Sequence, residues 1–156
     1  MQQRYRWQIP LMALAGLALL AGMWGGVLRL GWQFPPIFVR LPAQHGPLMI
    51  SGFLGTLISL ERAVALNQYE NGRRRLYYLG PLLSGVGAVA LFFTLPTAVP
   101  RLLAALGAAG LVWLFVIINH RQPTADHLVM GLGALLWLVG NGLWLSGAPI
   151  FRLVPW

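Results

Sequence analysis

Five long apolar stretches alternate with short polar or proline-bearing connections along the chain, at 9–28, 46–66, 76–95, 102–119 and 128–147. Each approaches the roughly 20 apolar residues that one crossing of a bilayer requires. All five are expected to be helices, because hydrocarbon offers no partner to the backbone groups of an open strand. The fold expected is therefore all-α: one domain, residues 1–156, built as a polytopic bundle of five transmembrane helices.

The prolines punctuate this scheme. Pro35, Pro36, Pro42, Pro96, Pro100, Pro123, Pro149 and Pro155 fall in connections or at ends. Pro10 and Pro47 fall in first turns, where a missing N–H is harmless. Pro81 lies deeper and is expected to kink or loosen the start of the third span. The first span is too long for the apolar region of a signal peptide, and no small-residue cleavage site follows it. Small residues recur at the four-residue spacing that lets membrane helices approach closely. Examples are Gly22 and Gly26, Ser51 and Gly55, Gly52 and Thr56, and the alanines at 104, 105, 108 and 109; the glycines at 131, 133, 140 and 142 line the fifth span as further small residues for packing. Trp7, Trp24, Trp32, Trp144 and Trp156 fall near span ends, as interfacial belt residues do.

Composition strengthens the membrane reading. Hydrophobic residues make up 58% of the chain and charged residues 9%, against about 25% charged in soluble domains. A soluble enzyme, a disordered tail and an ordinary nucleic-acid binder are excluded. The net charge of +8 comes from eleven basic residues, all arginine, scattered between apolar runs. That distribution reads as topology, not as a phosphate-tracking groove, so no nucleic-acid partner is expected. With the N-terminus cytoplasmic, Arg4, Arg6, Arg62, Arg73, Arg74, Arg75 and Arg121 lie inside, and Arg29, Arg40, Arg101 and Arg152 lie outside. The membrane expected is the inner (plasma) membrane of a bacterial-type cell.

Residues 151–156 resemble the entry to a further helix, so the chain is expected to be complete or half of a longer or internally repeated protein. A short echo points the same way: His45-x-x-x-Met49-x-x-Gly52 against His127-x-x-Met130-x-x-Gly133. Helices three apart run in opposite senses, as in an inverted repeat.

Ionisable groups within a span are functional candidates by default. They are His45, Glu61 and Arg62, with His120, Asp126 and His127 at the inner face; Asn141 is polar but not ionisable. His45 begins the second span, followed by Gly46 and Pro47. A neutral imidazole suits haem iron or copper. Gly46, Ser51 and Gly52 are expected to leave room for a flat macrocycle; the alternative is a histidine that caps the helix or meets headgroups. His120 and His127 lie about 30 Å from His45 if the spans cross the hydrocarbon fully. They cannot share its metal, so the second ligand is left to Met23, water, the His45 of a second copy or a partner subunit. His120, His127 and Asp126 could hold a divalent ion on their own loop, or be a polar connection in which Thr124 or Asp126 caps the fifth span. Glu61 and Arg62 stand about 100° apart around a helix and are not expected to face each other. Glu61 could pair with an arginine of another inner segment such as Arg75, or handle a proton. Asn141 is expected to hydrogen-bond to a neighbouring helix. With no cysteine in the chain, thiolate metal sites, disulfides and a cysteine nucleophile are excluded. No hydrolase motif is present.

The stretch Ala43-Gln44-His45-Gly46-Pro47-Leu48-Met49-Ile50-Ser51-Gly52-Phe53 carries a resemblance. Its H-G-x-x-M-I core resembles the second helix of haem–copper oxidase subunit I, where the histidine is an axial ligand of the low-spin haem. The tryptophan-bearing first helix, proline-rich loop and histidine-methionine opening of the second are similar to the NnrS family of haem- and copper-containing membrane proteins. The resemblance covers residues 9–60 or so. It implies a haem b or copper site at His45, with Met49 and Phe53 packed nearby, and a role in electron transfer or in nitric oxide- or oxygen-related respiratory chemistry. The oxidases carry further histidines for a second haem and copper; this chain has three in all, so a complete oxidase centre is excluded. The other functions open to such a chain are a transporter or channel half-unit, with a polar path past Glu61 and Asn141, and an accessory subunit without chemistry. Either would work as a homo-oligomer or beside a partner membrane subunit.

Overall fold

The computed structural model describes residues 8–33, 35, 40–70, 75–93 and 95–153, without the side chains of 151 and 152. Arg4, Arg6, Trp7, Arg73, Arg74 and Trp156, which bear on topology and on the aromatic belt, lie outside the described residues. Among those described, every regular element is helical. Helix α1 spans Gln8–Arg29, α2 Leu41–Pro47, α3 Gly55–Tyr69, α4 Leu79–Ala90, α5 Ala98–Arg121, α6 Ala125–Leu145 and the short α7 Ile150–Leu153. Four helical rods are long and apolar enough to cross a membrane: α1, the continuous rod Leu41–Tyr69, α5 and α6. Their outward faces are apolar, with Leu20, Val129 and Leu136 all well exposed. This surface is consistent with contact to lipid chains.

Two prolines behave differently from the sequence expectation. The second rod begins at Leu41, about one turn earlier than the apolar run suggests, because Pro42 suits its first turn. Pro47 therefore lies inside the helix, not at its start. Its ring and missing N–H oppose a regular α-helical turn. The rod accommodates this by widening into π-helical turns over Leu48–Leu54, closed by the Gly55 N–H donating to the Ile50 carbonyl. Pro81 produces no mid-span kink. A 3-10 turn, Arg75–Tyr78, precedes α4, which places Pro81 in the first turn of α4.

Helix α4 is the centre of the bundle. It packs on α5, α3, α1 and the π-helical turns, and its buried residues are nearly all small: Gly80, Pro81, Ser84, Gly85, Gly87, Ala88 and Ala90. Helix α1 lies along α2 and the π-helical turns, while α6 leans chiefly on α5. The core divides into a layer around Leu48, Ala18 and Ala88, a layer around Tyr77, Leu114 and Ala63, and a third around Phe115 and Ala134. Gly133, Gly140 and Gly142 of α6 face open space, contrary to the packing role expected of them; Gly131 alone of that set meets a neighbour, Phe115.

Candidate functional site

Helix α1 presents a strip of glycines to one face of the second rod. A Cβ on Gly25 would meet the Leu41 carbonyl oxygen at 2.7 Å, one on Gly26 the His45 Cε1 at 2.9 Å, and one on Gly22 the Met49 Sδ at 2.7 Å. Leu41, His45 and Met49 are spaced four apart, so they share a face. The expected Gly22–Gly26 pair is thus the floor on which the half-buried imidazole lies. The Nδ1 of His45 donates to the Gly22 carbonyl oxygen at 2.6 Å. A carbonyl can only accept, so the proton is on Nδ1. In the neutral ring Nε2 is then left with its lone pair.

The structure brings Met49 to this face but not Met23, which is 55% exposed on the outside of α1. Of the room expected beside Gly46, Ser51 and Gly52, the space at Gly52 is filled, whereas Gly46 and Ser51 border a cavity of about 180 Å³. A Cβ on Gly52 would meet Ala88 Cβ at 2.8 Å and Ala18 Cβ at 3.0 Å. Ser51 is buried and donates to Asn141 Oδ1 at 3.1 Å.

Asn141 makes the inter-helix bond expected of it. It accepts from Ser51 and donates through Nδ2 to the Trp137 carbonyl at 2.9 Å, one turn back on its own helix. The bond spans a gap between the second rod and α6. Two cavities occupy that gap, one of about 180 Å³ beside Asn141 and one of about 420 Å³ beside Glu61. Ile50 and Trp137 line both. The Trp137 ring lies against Gly55. Asn141→Leu is expected to destabilise the protein by about 0.5–1.5 kcal/mol, the usual size of one inter-helix hydrogen bond in lipid. Unfolding in mixed detergent would measure it.

At the opposite end from Arg40, Glu61 and Arg62 meet after all, Nη2 to Oε1 at 3.5 Å. Their stems diverge, but both side chains are long, and Glu61 is free in solvent or headgroups to swing round. Arg62 also lies over the Phe115 ring at 5.8 Å. Among the described residues an arginine paired across segments is Arg121, and its partner is Glu70, not Glu61. The same carboxylate oxygen of Glu70 accepts the buried Tyr77 hydroxyl at 2.8 Å. Sequence reasoning misses Glu70 because it sits just beyond a span. The signal available is its place at the same end of the bundle as Arg121.

His127 lies in the first turn of α6, which Thr124 caps by accepting the His127 N–H at 3.2 Å. Its Nδ1 donates to the Gln122 carbonyl at 2.8 Å. Together with Arg62 and Arg121 it borders a cavity of about 150 Å³. His120 is exposed in the last turn of α5. Among the described residues no group of three His, Asp or Glu side chains converges as a metal site.

The chain belongs to DUF8744, a domain of unknown function whose family model matches residues 8–156. No curated protein and no solved structure matches it.

Proposed function

We propose that this is a five-span protein of a bacterial-type inner membrane, N-terminus cytoplasmic, that binds copper or a haem b iron through His45. Its role would be in electron transfer or nitric oxide- or oxygen-related respiratory chemistry, the class suggested by the likeness of residues 43–53 to the NnrS and oxidase helices. The observation that carries the site is the bond from Nδ1 to the Gly22 carbonyl. Metal-ligating histidines almost always donate their second ring nitrogen to a carbonyl or carboxylate, which fixes the tautomer and orients the coordinating nitrogen. Met49 on the same face adds a soft thioether, suited to copper(I) or haem iron.

The contacts favour a single ion over a porphyrin enclosed by one chain. Gly22, Gly25, Gly26 and Gly52 are covered by Leu41, His45, Met49, Ala18 and Ala88, and the cavity beside Gly46 and Ser51 is not lined by His45. A haem would have to sit where His45 meets a second copy or a partner subunit. His45 and Met49 would hold the metal, and Gly22 would keep Nε2 deprotonated and aimed. When bound, the group supplies a one-electron couple.

The third of the five spans in this reading, beyond the four long rods, is the 3-10 turn plus α4. At about 2.0 and 1.5 Å per residue these reach about 26 Å, close to the hydrocarbon thickness. The cytoplasmic N-terminus follows from the arginine bias.

The test is metal analysis and visible absorption of the full chain, as purified and after incubation with copper(I) or haemin. The wild type is expected to hold copper or iron near one per chain, or per dimer if the site is shared. His45→Ala and His45→Gln are expected to lose it, and Met49→Leu to weaken it about ten-fold, on the order of one charge-free ligand contact. Gln can still donate to Gly22, so His45→Gln separates ligation from helix packing. A wild type that takes up no more metal than His45→Gln would overturn the proposal and leave His45 as a latch between α1 and α2.

A further inference from the structure

The end of the bundle that carries Arg40 holds a cavity of about 340 Å³, bordered by Arg40, Gln44, Thr97, Arg101, Trp144 and Ala148 among others. Two guanidinium groups thus share one recess. The chain has three acidic side chains, Glu61, Glu70 and Asp126. All three lie at the other end: Glu61 follows Arg40 by some 21 residues along one continuous rod, or about 30 Å at 1.5 Å per residue. No acidic side chain of this chain can neutralise Arg40 or Arg101.

Backbone oxygens could have served instead, because α4 and α6 both end at this cavity. The carbonyls of their final turns already accept backbone N–H groups. Leu91, Phe92 and Phe93 donate to Ala88, Val89 and Ala90. Ser146, Gly147 and Ala148 donate to Gly142, Trp144 and Leu143. Helices α2, α5 and α7 begin at the cavity and add positive character. The α5 N-cap Thr97 makes no side-chain cap bond, so the first-turn N–H groups have no side-chain acceptor from that residue. The Arg101 guanidinium is held over the Trp144 ring, 5.5 Å from its centroid, which fixes it in place without consuming its hydrogen-bonding edge.

We propose that this cavity binds a phosphate-bearing anion, its phosphate held between the Arg40 and Arg101 guanidiniums at the start of α5, with Trp144 as the apolar wall. Arginine pairs and helix N-termini are the two commonest protein partners of phosphate oxygens. Basic pockets between membrane helices take anionic headgroups for the same reason. The phosphate is either that of an anionic phospholipid headgroup or that of a free phosphate. The inference is independent of the role of His45.

The experiment is binding to the full chain in a neutral maltoside detergent, followed by native mass spectrometry and calorimetry. The probes are dioctanoyl phosphatidylglycerol, dioctanoyl phosphatidylcholine and inorganic phosphate. Phosphatidylglycerol is expected to bind at least ten-fold more tightly than phosphatidylcholine. Arg40→Gln and Arg101→Gln are each expected to weaken it ten-fold or more. Gln44→Glu, which adds a carboxylate to the recess without removing the Arg101–Trp144 contact, is expected to abolish it. Arg29→Gln, at the same end but outside the cavity, is the control expected to change nothing. Displacement by inorganic phosphate assigns the site to a free phosphate, and failure to displace assigns it to the headgroup; both support the proposal. It is overturned if neither phosphatidylglycerol nor inorganic phosphate binds, if the two lipids bind equally and phosphate does not displace them, or if Gln44→Glu binds like the wild type.

Discussion

Replacing Gly110 by leucine is expected to eliminate recovery of folded protein from detergent, and Gly110→Ala to lower stability by about 1–3 kcal/mol, the range of overpacking substitutions. The reason is backbone against backbone. A Cβ at Gly110 would lie 2.7 Å from the Gly80 Cα and 3.3 Å from the Gly80 nitrogen. Neither atom can rotate aside as a side chain can. At Gly107 a Cβ would meet the Ser84 nitrogen at 2.9 Å as well as the serine side chain, so Gly107→Ala belongs to the same class. Relief requires α4 and α5 to separate. Helix α4 is twelve residues long and buries mostly glycine, alanine and serine, so it has few large side chains to compensate for a lost interface. Gly140→Ala is the matched comparison, since nothing lies within 4 Å of that position. It is expected to be neutral or to stabilise by up to about 1 kcal/mol, the helix-propensity gain of alanine over glycine. Thermal unfolding of the detergent-solubilised variants distinguishes them. Equal midpoints for Gly110→Ala and Gly140→Ala would show that the α4–α5 contact does not hold the bundle together.

The contrast between those two glycines also shows where sequence reasoning runs out. Apolar length is a local property, so the four rods long and apolar enough to cross a membrane are legible in the sequence as apolar runs. Which way a small residue faces is not local. Gly22, Gly80 and Gly110 press against neighbours while nothing lies within 4 Å of a Cβ at Gly133, Gly140 or Gly142, yet in the sequence all six are glycines within apolar runs. The prolines mislead for a related reason. Pro42 and Pro47 read as the end of a loop and the start of a helix, because the sequence does not reveal that π-helical turns can absorb the missing N–H of Pro47. Of the candidate site, His45 and Met49 are legible as a four-residue pair. The Gly22 carbonyl that fixes the imidazole depends on how α1 and α2 slide past one another, and the sequence offers no more than the Gly22–Gly26 spacing as a hint. Arg40 and Arg101 read as topology markers on separate segments. That they share one cavity is a consequence of helix packing.

The other large stability effect belongs to the Glu70 end. Glu70→Gln is expected to destabilise the protein by about 1–2 kcal/mol, Arg121→Gln by a similar amount, and the double variant by no more than the larger single loss. Exposed ion pairs are worth about 0–1 kcal/mol, whereas breaking a fully buried one costs about 3–5. Glu70 at 14% and Arg121 at 31% side-chain exposure stand between those limits. Two further contacts raise the pair above the surface range. The Tyr77 hydroxyl, on a ring 1% exposed and packed among Ala63, Leu66 and Leu114, donates to the same carboxylate oxygen. The Arg121 guanidinium also lies over the Tyr69 ring at 5.6 Å. Helix polarity argues that the arginine matters to the acid more than the reverse. Arg121 ends α5, where a cation is welcome, but Glu70 follows the last residue of α3, where a carboxylate is disfavoured unless a cation meets it. Arg121→Gln takes a cation away from a carboxylate at a helix C-terminus, so adding Glu70→Gln should recover part of the loss. A double-mutant cycle on unfolding free energies measures that coupling. Strict additivity would mean that the two residues are neighbours without being partners, and that the joint between α3, the Tyr77 turn and α5 is held by the apolar contacts of Tyr77 and Leu114 alone.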